Sequence, residues 1–173
     1  MSYLLFSISA NFKFHKNIFA FVFIYGAHIN IKIKQLMKKE NLGAANCNPL
    51  NIRYVVTNHW LGLDEECPQR NGFCHFTDIN YGLRAAYLIL KRYVTKYGLN
   101  TPEKIINKWA PPSENDTSGY IRAVCAMSGL KRNSILSTDC RKLLLLLSAM
   151  ARQESGYHVS PTQLEKIKEI FHL

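Results

Sequence analysis

Glu114 and Glu154 are the acids of this chain best placed to do chemistry, and they sit in opposite settings. Glu114 lies in the run Lys-Trp-Ala-Pro-Pro-Ser-Glu-Asn-Asp-Thr-Ser-Gly-Tyr at residues 108–120, just ahead of a helical pattern. The positive end of that helix favours an ionised carboxylate, which suits an anion-side stabiliser, a base or a hydrogen-bond acceptor. It equally suits a capping role shared with Asp116 and Thr117. Glu154 closes the most apolar helical stretch, in Ala-Met-Ala-Arg-Gln-Glu-Ser-Gly at residues 149–156. Burial and the negative end of that helix both favour the neutral acid, the form a glycosidase needs for its proton donor. Arg152 close by could instead hold Glu154 as an ion pair. An acid and an ionised carboxylate together are the working parts of glycoside hydrolysis, with Glu154 protonating the glycosidic oxygen and Glu114 or Asp116 steadying the positive sugar centre or steering water.

The residues around these acids suit a sugar ligand. Trp60 and Trp109 offer flat apolar faces with a polar edge, fit for stacking on a sugar ring or for half-burial in the core. Asn48, Asn51 and Arg53 flank Pro49, where their polar groups can hold a turn or a ligand. Asn115, Asp116 and Tyr120 add polar contacts on the proline loop. The five cysteines, Cys47, Cys67, Cys74, Cys125 and Cys140, contain no Cys-x2-Cys pair, so a zinc knuckle has no support. Cys67, Cys74 and His75 are a weak metal set, and free thiols in a reducing compartment are the plainer reading. No metal or organic cofactor is expected.

Positioning these groups falls to a mostly helical chain. Asn48-Pro49 reads as a turn leading into a short strand over residues 52–56, followed by a polar loop at 64–72 and a second strand at 73–76. Asp78 caps a helix that Gly98 ends. Thr101-Pro102-Glu103 opens a short helix to about Trp109, because Pro111 and Pro112 cannot continue it. Asp116 or Thr117 caps the next helix, stopped by Gly129. Thr138 or Asp139 opens the leucine-rich helix that Gly156 ends, and Ser160-Pro161-Thr162-Gln163 is a capping box for a last helix to about Phe171. The fold class expected is mainly α (α+β), a single domain of about five helices with one small N-terminal β-ribbon.

The 173 residues suffice for one core. The net charge of +10 draws a protein toward polyanions, yet the basic residues are scattered, which fits plain solubility and gives no specific nucleic-acid motif. Residues 1–36 differ from the rest: they hold no Asp or Glu, and Phe, Ile, Asn, Lys and Tyr make up 21 of them. Residues 17–29 are too short and too polar for an ordinary spanning helix. A secretory signal there lacks a small-x-small cleavage site. The expectation is an apolar basic leader from a misplaced start, with the domain at residues 37–173, where 18 basic residues face 12 acidic ones.

The motifs Asn-Pro-Leu-Asn-Ile-Arg at 48–53 and Trp-Ala-Pro-Pro-Ser-Glu-Asn-Asp-Thr at 109–117, with Tyr-Gly-Leu-Arg-Ala-Ala and Tyr-Ile-Arg-Ala-Val, resemble a small family from phages and prophages usually labelled phage structural protein. The resemblance spans residues 48–156 and does not extend to residues 1–36. More distantly, the arrangement is similar to lysozyme-like wall-degrading domains, and Arg-Gln-Glu-Ser-Gly resembles the helix-ending glutamate motif of lytic transglycosylases. Tyr157-His158-Val159-Ser160 stands where Gly-Leu-Met-Gln normally follows. With the ribbon early and the glutamate late, the order resembles a circular permutation of a lysozyme-like fold.

These resemblances imply a prophage-encoded protein acting on bacterial peptidoglycan, with Glu154 as general acid. The alternative is a non-catalytic virion structural or assembly protein. The partners implied are cell-wall glycan or other virion proteins, with a membrane only through residues 1–36. The location implied is the bacterial cytoplasm until lysis or packaging.

Overall fold

Helix boundaries in this protein follow its capping residues. A computed structural model describes residues 42–173; the readings placed on residues 1–36 lie outside them. Asp78 accepts from the Asn80 N–H and opens α1, Ile79–Tyr97, which ends on Gly98 at φ 64°. Thr101 accepts from the Lys104 N–H ahead of α2, Pro102–Trp109. Asp116 caps α3, Thr117–Ser128, by accepting from Gly119, and Gly129 ends it. The Ser160–Gln163 capping box is formed in full at the start of α5, Pro161–Ile170.

α4, Arg141–Ser155, starts later than its pattern suggests. Cys140 stands at its N-cap without a side-chain cap bond, and Thr138 bonds Asp139 instead. A turn from the Ser137 carbonyl to the Cys140 N–H delays the helix.

The ribbon also differs from expectation. Its strands are β1, Gln69–Arg70, and β2, Phe73–Cys74, paired antiparallel. The turn between them is Asn71-Gly72, with φ 53° and 81°, the Asn-Gly pair that a two-residue hairpin favours. The hairpin therefore lies largely inside the stretch read as a polar loop. Residues 52–56 form no strand, and Arg53 alone makes an isolated antiparallel bridge to Phe73. Val55 and Val56 are exposed, so their β-branched pattern finds no sheet partner.

α4 is the centre of the core. Leu143, Leu144, Leu146, Leu147, Ala149, Met150 and Ala151 are buried along it, and it packs against α1, α3 and α5. Each buried leucine is worth about 2 kcal/mol of removed apolar surface, which is why one helix can hold three others. α5 is fixed on α1 by Phe171, whose ring lies 5.6 Å from that of Tyr81 and under the Arg84 guanidinium at 5.5 Å.

The turn before Arg53 is the other organising piece. The buried Asn48 side chain accepts from the Ile52 N–H and donates to the Ile52 and Cys74 carbonyls. One amide thus closes a turn and joins it to the ribbon. α1 approaches this turn so closely that a Cβ on Gly82 would collide with the Cys47 carbonyl oxygen. The domain is mainly helical with a small two-stranded antiparallel sheet. No helix of the described residues is long and apolar enough to cross a membrane.

Candidate functional site

Glu154 sits in the last turn of α4 and is half-buried. Its Oε1 accepts the Trp109 indole N–H at 3.0 Å and the Tyr120 hydroxyl at 2.9 Å. The Asn51 amide donates to the Glu154 carbonyl at 3.1 Å and approaches Oε2 at 3.4 Å. Four parts of the chain meet on this side chain: the turn at Asn51, the end of α2, the first turn of α3 and the end of α4. Next to it, the buried Ser155 hydroxyl donates to the Pro49 carbonyl at 2.9 Å, fastening the same turn to the same helix end.

Local sequence explains the convergence. Trp109 is the last residue of α2 because the double proline follows. The Pro111 carbonyl accepts from Glu114, Asn115 and the Asn115 side chain, and the Thr117 hydroxyl donates to the Ala110 carbonyl. These bonds fold residues 110–117 into a tight connection, so Trp109 and Tyr120 face the same carboxylate. Asn51 reaches it from a backbone at φ 50°, a left-handed geometry that asparagine tolerates better than most residues.

Burial, and then the charge of Glu154, push the Tyr120 hydroxyl well above the ordinary phenol value. Tyr120 is therefore a neutral donor near neutral pH, and its proton stays available to Oε1. Arg152, the expected ionic partner, makes no ion pair with Glu154; the neutral donors Trp109, Tyr120 and Asn51 surround the acid instead.

The other expected residues lie apart from that cage. Glu114 pairs with Arg53 at 3.2 Å, and both side chains are more than half exposed. Asp116 serves as the α3 cap, and Asn115 holds its own loop and is exposed. Trp60 packs half-buried against the core, with its indole N–H buried and lacking a protein partner. Among the described residues no three His, Cys, Asp or Glu side chains converge as a metal site requires. Cys67 and Cys74 point their thiols at the Gln69 and Arg53 carbonyls, and His75 lies 3.0 Å from the Cys67 carbonyl.

Sequence reasoning passed over Ser155, which locks Glu154 to Pro49. The signal was a serine at a helix end beside the acid and just ahead of the glycine cap, too common a pattern to stand out. Asn48, read as holding a turn or a ligand, holds the turn.

No family model matches this chain. Over 131 residues, 75% of this chain and 79% of the relative, it is 37% identical to Protein P5 of Pseudoalteromonas phage PM2. The chain belongs to the family of that phage protein.

Proposed function

We propose that this member of the phage Protein P5 family acts on bacterial peptidoglycan, binding its glycan strands and hydrolysing the glycosidic bond with Glu154 as general acid. The observation that carries the reading is the unequal treatment of the two Glu154 oxygens. Oε1 takes two donors at 2.9 and 3.0 Å, which fill its lone pairs. Oε2 has only the long Asn51 contact, beyond the usual N–H···O range. We assign the donated proton to Oε2, the oxygen left open to a ligand.

In the reaction, that proton passes to the glycosidic oxygen as the sugar–oxygen bond breaks and positive charge develops on the ring carbon. A water adds to that carbon and returns a proton to Glu154. The same donors then steady the transient carboxylate, since hydrogen bonds to a charged oxygen are about twice as strong as neutral ones. The reading assigns the second negative charge to Glu114, which is held in an exposed pair with Arg53, while Asp116 is taken up as a helix cap. Asn51, Trp109 and Tyr120 fix the acid; Arg53, Trp60 and Asn115 are the residues this reading assigns to the glycan.

The test uses the purified chain on isolated cell walls, read as loss of turbidity. Glu154→Gln keeps an acceptor oxygen for Trp109 and Tyr120 but has no acid proton, so it folds and loses activity. Wild-type inactivity on several wall types, or an active Glu154→Gln, removes the enzymatic reading.

A second reading has its own observation. Glu154 joins α2, α3, α4 and the Asn51 turn by hydrogen bonds within the chain, which a virion structural or assembly protein would also use to hold its shape. That reading expects copurification with particles, no wall lysis, and a stability loss alone from Glu154→Gln.

A further inference from the structure

On the far side of α4 from the Glu154 cage, a cavity of about 360 Å³ opens between the end of α3, the second half of α4 and the start of α5. Met127, Ala149 and Val159 give it apolar walls, and Arg152, His158 and Gln163 add polar groups; no Asp or Glu lines it. Arg152 makes no ion pair with any described residue. The Gln163 amide oxygen is used by the Ser160 N–H, which leaves its NH2 group as a donor. A guanidinium, an imidazole and an amide NH2 around a space without acids form a receptor for a carboxylate, with a small apolar group beside it.

We propose that this cavity binds a carboxylate of a short peptide, namely the peptide stem carried by the glycan on which Glu154 acts. The inference rests on the peptidoglycan reading and extends it to a second contact. Residues two apart on a helix lie nearly opposite each other, so Arg152 and Glu154 face different sides of α4. The helix is about 10–12 Å across with its side chains, so a path half-way around it runs about 16–19 Å, the span of about five extended residues. A stem of about five residues leaving the sugar at Glu154 therefore has the length to reach Arg152 around α4. Specificity follows: glycan bearing peptide is held at two points, and bare glycan at one.

The test is sedimentation of the full chain with two preparations of walls, one intact and one stripped of stem peptides by an amidase. Every sample carries Glu154→Gln so that the walls survive. Intact walls are expected to bind about tenfold more tightly than stripped walls. Adding Arg152→Gln and His158→Gln removes that difference and leaves stripped-wall binding unchanged. Equal binding of both wall types without those two changes, or an equal loss on both with them, overturns the proposal. Wild-type lysis of either wall type is read separately, so a failed catalytic reading and a failed peptide site give different results.

Discussion

Trp109 and Tyr120 donate to one and the same oxygen of Glu154, at 3.0 and 2.9 Å, from the two sides of the double-proline loop. The loop is short and internally bonded, so neither donor can retreat without disturbing the other. The carboxylate is thereby aimed by the fold and does not depend on a ligand for its orientation.

Removing the Tyr120 hydroxyl leaves Trp109 alone on Oε1. Tyr120→Phe is expected to lower stability by about 1–2 kcal/mol, as for one lost hydrogen bond to an ionisable group. Urea unfolding reads this as a lower midpoint with an unchanged slope. An unchanged midpoint would mean that the bond has no stabilising role.

Cys74 gives the protein an alkaline weakness. Burial pushes its thiol up to about 11, above the ordinary thiol near 8.5. Its folded value is raised, so its contribution is complete below the unfolded value and declines as pH rises toward the folded one. Stability should fall between about pH 8.5 and 11, and Cys74→Ala should flatten that part of the profile. Parallel wild-type and variant curves across this range would refute the assignment.

Two glycines should respond very differently to alanine. At Gly82 the new Cβ meets the Cys47 carbonyl, which belongs to backbone held by the Asn48 turn. The expected loss is about 3 kcal/mol, the upper end for overpacking. At Gly156 the space is open and only the φ of 68° objects, so the loss is about 1 kcal/mol. Denaturant midpoints of the two variants decide the order.

Arg53 and Glu114 form an exposed pair, and such pairs contribute less than about 1 kcal/mol. Glu114→Gln should therefore melt within a few degrees of wild type. Loss of wall lysis in that variant then reports on the second carboxylate and not on folding. A large fall in melting temperature would show that the pair carries more of the structure than its exposure suggests.

Helices were legible because their ends are written in single residues. Asp78, Thr101, Asp116 and Ser160 each bond an N–H of the first turn, and Gly98, Gly129 and Gly156 each adopt the left-handed backbone. The start of α4 was not legible, because Cys140 holds that position without a side-chain bond. The second strand of the ribbon was placed at 73–76, where β2 lies, but the first was misplaced because the alternation of Ile52, Tyr54 and Val56 outweighed the Asn71-Gly72 turn, although turn geometry fixes a hairpin more firmly than composition. Of the site, Asn51, Trp109, Tyr120 and Glu154 were each named as candidates. That they meet on one carboxylate depends on how α2, α3 and α4 stack, a long-range result that spacing along the chain does not encode. Glu114 and Asp116 show the reverse: adjacent in sequence to the site, they serve the Arg53 pair and the α3 cap.

Asn51 and Ser155 tie the early turn to the end of α4 across more than a hundred residues, through Glu154 and Pro49. During synthesis, nothing can occupy the Asn51 amide or the Pro49 carbonyl in this way until α4 has left the ribosome. Truncated translation products ending before that helix cannot assemble the acid's surroundings. The setting of Glu154 is therefore completed late, by a helix whose partners wait for it more than a hundred residues upstream.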